Sequence, residues 1–302
     1  MPKLIVAVVL ILGFASAAPA AAADLVFDWA AVGNAGNAND THGEGYGAVA
    51  NAYRISKHEV TNNQYAEFLN AVAATDSFGG SDPNLYNANM DITRSGSSGS
   101  FTYAVNAGFE TNPVNYVSFF DSMRFVNWLE NGQGTGGTEG GVYNIGTGVN
   151  EPRAAGATFF LPSENEWYKA AYHDPTASGE YWDYPTQSNT APTAASANVD
   201  NVVGDTTDVG TYTSATSFYG TFDQAGNLWE WNEAVKGSDR GMRGGSWNLS
   251  WLDSAASNRD FINPTVEFNF IGFRVASVPE PSSRLYGGVV FLGLLCWKKI
   301  RS

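Results

Sequence analysis

Residues 221–247 read TFDQAGNLWEWNEAVKGSDRGMRGGSW. This stretch holds three of the chain's nine tryptophans, Asp223 and Glu230 among them, and glycines that let backbone approach backbone. Acids interleaved this closely with tryptophan cannot all reach water, so the segment is expected to form either a binding site or a buried polar junction. Asp223, Gly226, Leu228 and Glu230 alternate along a glycine-bent run. Their two carboxylates and two carbonyls can converge on one hard cation, and calcium accepts such mixed oxygen sets in irregular geometry. On the other reading, Glu230, set between Trp229 and Trp231, is a buried acid satisfied by backbone or by an arginine such as Arg243 or Arg274.

The 302 residues are 43% hydrophobic, enough for one large domain or two modest ones. Only 15% are charged, while aromatics reach 14% and glycines number 33, which argues for a loop-rich, aromatic-cored, partly β protein. Setting aside residues 1–23 and 279–302 removes five basic residues and one acid from the net charge of −14, so the body carries −18. Such a surface repels phosphates and excludes nucleic acid as a partner. The one cysteine, Cys296, lies in the apolar tail, which leaves the body without disulfide, thiolate ligand or thiol nucleophile.

Both ends read as addresses. Residues 1–23 combine Lys3, an apolar run and a small-residue series with A-x-A sites, the pattern of a cleaved secretory signal. Residues 278–302 present Pro279-Glu280-Pro281, an apolar segment over 285–297 and a basic end at Lys298, Lys299 and Arg301. This order resembles a PEP-CTERM sorting signal. It implies a short transmembrane segment, an exosortase as partner, and export to the cell surface or extracellular matrix of an exopolysaccharide-producing bacterium, with transient anchoring in the membrane.

Within the body, residues 24–51 predict an edge strand and a loop. Residues 53–70 predict a strand followed by a helix, with Thr61 and Gln64 as a capping box and Tyr65, Phe68, Leu69 and Val72 on its inner face. Residues 78–112, rich in Ser, Gly and Asn, read as a surface insertion. After Pro113 a short strand and a second helix capped by Ser118 and Asp121 are expected, with Phe119, Met123 and Val126 inside. Pro162 and Ser163, with Glu166, open a third, whose Trp167, Ala170 and Ala171 face the core. His42, His58 and His173 are far apart in sequence, so a three-histidine metal site requires all of them to converge.

Six segments in this order, KHEVTNNQYAEFLN (57–70), PVNYVSFFDSMRFVNWL (113–129), LPSENEWYKAAY (161–172), GTFDQAGNLWEW (220–231), RGGSW (243–247) and GFRVA (272–276), resemble the formylglycine-generating enzyme, or sulfatase-modifying factor, family. The resemblance implies an α+β fold: a single domain over residues 24–277 of unusual C-type-lectin-like topology, low in regular secondary structure. It implies structural calcium on the Asp223 and Glu230 side chains and the Gly226 and Leu228 carbonyls. A weaker second calcium site falls at Asn198, Val199 and Asn201.

Active members of the family follow their GGS-aromatic motif with two cysteines that bind copper and oxidise a substrate cysteine to formylglycine. Here those positions fall at Leu249 and Ser254, neither of which supplies a thiolate, so copper is not expected. Arg259 aligns with a peptide-groove residue. The histidine-iron chemistry of the related sulfoxide synthases needs a cluster that the spacing here does not offer. The expectation is a non-catalytic, calcium-stabilised domain that binds matrix exopolysaccharide or a surface protein, with Tyr181, Trp182 and Tyr184 as candidate sugar-stacking rings. The alternative is an enzyme using the same cleft through Asp253, Asn258, Arg259 and Asp260.

Overall fold

The computed structural model describes residues 25–41, 45–79, 82–178 and 180–279. The expected signal peptide, the apolar tail with Cys296, and His42 lie outside the described residues. No helix among the described residues is long and apolar enough to cross a membrane.

Three helices form where capping chemistry and apolar period coincide. In α1 (Asn62–Val72) the Thr61 hydroxyl accepts from the Gln64 N–H while the Gln64 side chain accepts from the Thr61 N–H. The same reciprocal pair opens α2 (Phe119–Glu130) with Ser118 and Asp121, and α3 (Glu164–Tyr172) with Ser163 and Glu166. Each box satisfies two of the otherwise orphaned donors at a helix start. Nearly every residue of α2 is buried. Phe125 sits at the centre of its packing, with ring centroids 5.3 Å from Phe68, 5.3 Å from Phe273 and 6.1 Å from Tyr65.

Two four-stranded sheets flank this core. One orders β1 (Trp29–Val32), β2 (Tyr53–Ser56), β10 (Ala276–Ser277) and β5 (Phe159–Phe160), all antiparallel, so the two ends of the domain close on each other. The other orders β8 (Asp260–Ile262), β7 (Asp239–Arg243), β6 (Trp229–Lys236) and β9 (Ile271–Gly272), in which only the β6–β9 pairing is parallel. Helix and strand together are a minor fraction of the described residues, 14% and 18%, so most buried backbone groups must find partners in loops.

Two expectations need correction. The strand predicted after Pro113 reduces to a single bridge between Thr61 and Pro113, because Tyr116 turns into the left-handed region at φ 54° and ends any ladder. The insertion at 78–112 is not merely surface. It contains a hairpin of β3 (Ile92–Ser95) and β4 (Thr102–Val105), and buries Leu85, Met90, Ile92 and Tyr103. Asn70 on α1 clamps it, donating to the Tyr103 carbonyl and accepting from the Tyr103 N–H.

Candidate functional site

The segment leading into β6 turns three times through the left-handed region, at Asp223 (φ 60°), Gly226 (φ 80°) and Asn227 (φ 59°). Gly226 bridges Asn198, and a Cβ at Gly226 would lie 2.2 Å from the Asn198 carbonyl oxygen, so only glycine fits. The two stretches proposed from sequence to hold cations are therefore neighbours. Asn227 stitches them: its amide donates to Glu59 Oε1 at 3.0 Å, and its Oδ1 accepts from Asn198 Nδ2 at 3.1 Å and from the Thr207 N–H at 3.0 Å. Val199 is buried beside Ala197 and Ala225, while Asn201 is exposed and donates its N–H to the Trp247 carbonyl.

Glu230 is held by an arginine. Arg274 donates to its two oxygens from Nε at 2.5 Å and Nη2 at 2.7 Å, and Trp167 Nε1 adds a bond of 2.7 Å. Glu230, in the expected quartet with Asp223, Gly226 and Leu228, is thus paired with Arg274, one of the two arginines expected for it as a buried acid. Arg274 also donates to the carbonyls of Ser56, Lys57 and Phe222. Arg243, the other candidate partner, pairs with Glu164, as does Arg259.

Three buried acids surround Arg274: Glu230, Glu59, whose Oε2 lies 4.0 Å from Nη2, and Asp223. One guanidinium cannot neutralise three carboxylates. Burial pushes Asp223 up to about 6, although the Gly210 N–H donates to it at 2.6 Å. Burial and the neighbouring Asp223 charge push Glu59 well above the usual carboxylate range. Two buried oxygens here, Glu59 Oε2 and Asn198 Oδ1, have no hydrogen-bond partner. With Asp223 they form the part of this junction whose donor chemistry fits a hard cation.

Sequence reasoning missed Glu59, Asn227 and the central place of Arg274. One signal was available: a lone arginine inside the apolar run Phe273 to Ala276 must find carboxylates if it is buried.

The second half of the opening stretch leads elsewhere. β7 ends at Arg243, and Gly244 and Gly245 turn the chain at φ 104° and 73°. Leu249 is 36% exposed, whereas Ser254, in the 3-10 turn Trp251–Ser254, is wholly buried. The Ser254 hydroxyl donates to the Trp251 carbonyl, and the Ser254 carbonyl accepts from Tyr172. The Leu249 carbonyl accepts from the Asp200 N–H, and Leu252, Val202 and Val203, close to these two residues in sequence, are exposed as well. Arg259 stacks on Tyr46 and Phe261 and borders a cleft lined by Val235, Lys236, Asp239, Asp260 and Phe261.

The two described histidines, His58 and His173, are engaged separately. The His58 ring stacks on Phe222, while both His173 nitrogens are engaged, by Tyr219 and Asn34. Tyr181 and Tyr184 are buried, and the Tyr181 hydroxyl bonds Asn37 and Ala38, so neither ring is available to stack on a sugar.

Residues 33–278 match the family described as the sulfatase-modifying factor enzyme 1-like domain. The chain belongs to that family. Its curated relatives include the hercynine oxygenases of Mycolicibacterium thermoresistibile, 28% identical over 188 residues (54% of this chain, 35% of that protein), and of Mycobacterium tuberculosis, 25% identical over 252 residues (74% and 52%). The chain spans between about a third and a half of the length of these relatives. Among solved structures, Treponema denticola variable protein 1 superposes with a TM-score of 0.57 at 21% identity, covering 83% of this chain and 95% of that one. CarF superposes at 0.56 and 22%, covering 84% and 99%. These likenesses fix the fold: a single sulfatase-modifying-factor domain of α+β, C-type-lectin-like architecture.

Proposed function

We propose that this sulfatase-modifying-factor domain is a non-catalytic, calcium-stabilised binding module, exported to the cell surface or extracellular matrix. The observation that carries the reading is the pair Leu249 and Ser254. Where the oxidising members place two copper-binding cysteines, this chain has an exposed leucine and a buried serine whose hydroxyl is already bonded to backbone. In those members the cysteine pair holds the copper, and neither of these side chains can supply a thiolate in its place.

Calcium is assigned to the junction beside β6. Asp223 and the Gly226 and Leu228 carbonyls remain its ligands, Asn198 is the best placed residue of the second set, and Glu59 replaces Glu230. The unpartnered oxygens of Asn198 and Glu59 support this assignment. Bound there, calcium supplies the positive charge that Arg274 alone lacks. The chain's own residues do the rest: Gly226 permits the close crossing with Asn198, and Asn227 fixes the two segments in register.

The ligand is expected on the surface around Leu249, Leu252, Val202 and Val203, with matrix exopolysaccharide or another surface protein as its source. Calorimetric titration with purified exopolysaccharide and a glycan panel, with calcium present, tests the reading. Saturable binding that is weakened by Leu249→Ser is expected, and no binding by any preparation counts against it.

A second reading rests on the relatives' name, which is that of an oxygenase. In it, the cleft bordered by Lys236, Asp239, Arg259 and Asp260 accepts a polar substrate. Turnover by the purified chain that Arg259→Ala abolishes would favour this enzyme.

A further inference from the structure

A second group of buried acids lies away from β6. Asp82 comes from the insertion, Asp121 from the first turn of α2, and Glu267 from the loop before β9. One carboxylate oxygen of each lies within 4.8 Å of the others, and among the described residues this is the only such group of three potential ligands. Asp121 is fully buried, Asp82 nearly so, and Glu267 partly.

Their hydrogen bonds are incomplete. Asp121 Oδ2 accepts from the Ser118 N–H at 2.9 Å, which completes the helix cap, and Glu267 Oε2 accepts from Asn87 at 2.5 Å. Asp121 Oδ1 and Asp82 Oδ2 are buried with no partner. The nearby cations are committed elsewhere. Arg124 donates to the Gly79 and Asp82 carbonyls and pairs with Glu139, and Arg94 pairs with Asp76. Two buried, unpartnered oxygens among three converging carboxylates are a donor set that a cation would satisfy.

We propose that Asp82, Asp121 and Glu267 form a divalent-cation site that takes calcium and ties the insertion to α2 and to the loop before β9. The donors are all oxygen, which selects a hard ion over zinc or copper. They come from two loops and a helix cap, a set that suits the variable coordination of calcium better than the regular octahedron of magnesium. Water completes the shell on the side of partly exposed Glu267. Burial, with the mutual repulsion of the three acids, pushes Asp121 well above the usual carboxylate range, and burial raises Asp82 and Glu267 as well. The competing account is therefore that protons, rather than calcium, neutralise the group.

Equilibrium dialysis of the full chain against calcium at neutral pH separates the two. Asp82→Asn combined with Glu267→Gln keeps shape and hydrogen-bonding capacity but removes two charges, and Asp121 is left to cap α2. The expected result is one calcium fewer per chain than wild type. Asp223→Asn, which targets the junction beside β6, should leave the occupancy of this site unchanged, so the two assignments fail or survive separately. If the double variant does not fold, Glu267→Gln alone should weaken one calcium at least tenfold. Equal calcium stoichiometry and affinity in wild type and variants, or no calcium bound by the wild type, overturns the proposal and leaves protons as the neutralising charge.

Discussion

The acids around Arg274 and the acids of Asp82, Asp121 and Glu267 face the same problem, burial of several carboxylates in a chain with a large negative charge, and answer it differently. In the first group a guanidinium built into the sequence grips Glu230 with paired bonds and reaches Glu59. In the second, no arginine among the described residues donates to the free oxygens. An internal counterion holds whenever the chain is folded, while an external one makes stability depend on what the solution contains. The contrast predicts that the Arg274–Glu230 pair itself forms without calcium, while Glu59 and Asp223 beside it, and the whole of the second group, depend on the cation.

Removing the internal counterion should have the largest effect. Arg274→Met leaves Glu230 and Glu59 buried without compensation and should cost about 3–5 kcal/mol of stability in urea unfolding. Adding Glu230→Gln should recover part of that loss; a single variant as stable as wild type would break the comparison. Calcium withdrawal comes next. Each site saturated at about a hundred times its dissociation constant contributes roughly 2.7 kcal/mol, so chelation should lower the melting temperature by several degrees. The Arg274→Met penalty should persist with or without chelator.

Gly226→Ala sharpens the geometric side. A Cβ 2.2 Å from the Asn198 carbonyl and a φ of 80° should together cost about 2 kcal/mol, measured by thermal unfolding. A smaller pH effect is expected at His173. Burial, with the charge of Lys169, holds its ring below the ordinary histidine value. As pH falls the unfolded chain takes up this proton first, so stability is complete above about pH 6.5 and declines as pH falls through that value. His173→Gln should lessen the slope of the melting profile in that window, leaving the share due to His58, which burial holds down at about 4. Leu249→Ser, at an exposed position, should change stability by less than about 0.5 kcal/mol while weakening ligand binding.

Much of the frame was legible because it rests on local chemistry. The boxes Thr61/Gln64, Ser118/Asp121 and Ser163/Glu166 are three-residue spacings, and each opens a helix where the spacing predicts one. The family could be read from six ordered motifs. The hairpin in the insertion was hidden because the alternation in ITRS and TYAV is short and surrounded by Ser and Gly. The partner of Glu230 was narrowed to Arg243 or Arg274, but the choice depends on the parallel pairing of β6 with β9, which brings Arg274 to Glu230 across 44 positions of sequence. The acid group of Asp82, Asp121 and Glu267 left no sequence pattern, since its members come from three distant segments and Asp121 already has a sufficient role as a helix cap.

The central proposal is that this chain keeps the family's fold without its oxidase chemistry. Incubating the purified chain with copper, dioxygen and a Cys-x-Pro-x-Arg peptide, and following the peptide by mass spectrometry, tests this most directly. Unchanged cysteine after long incubation is the predicted result, and conversion of that cysteine to formylglycine would contradict it.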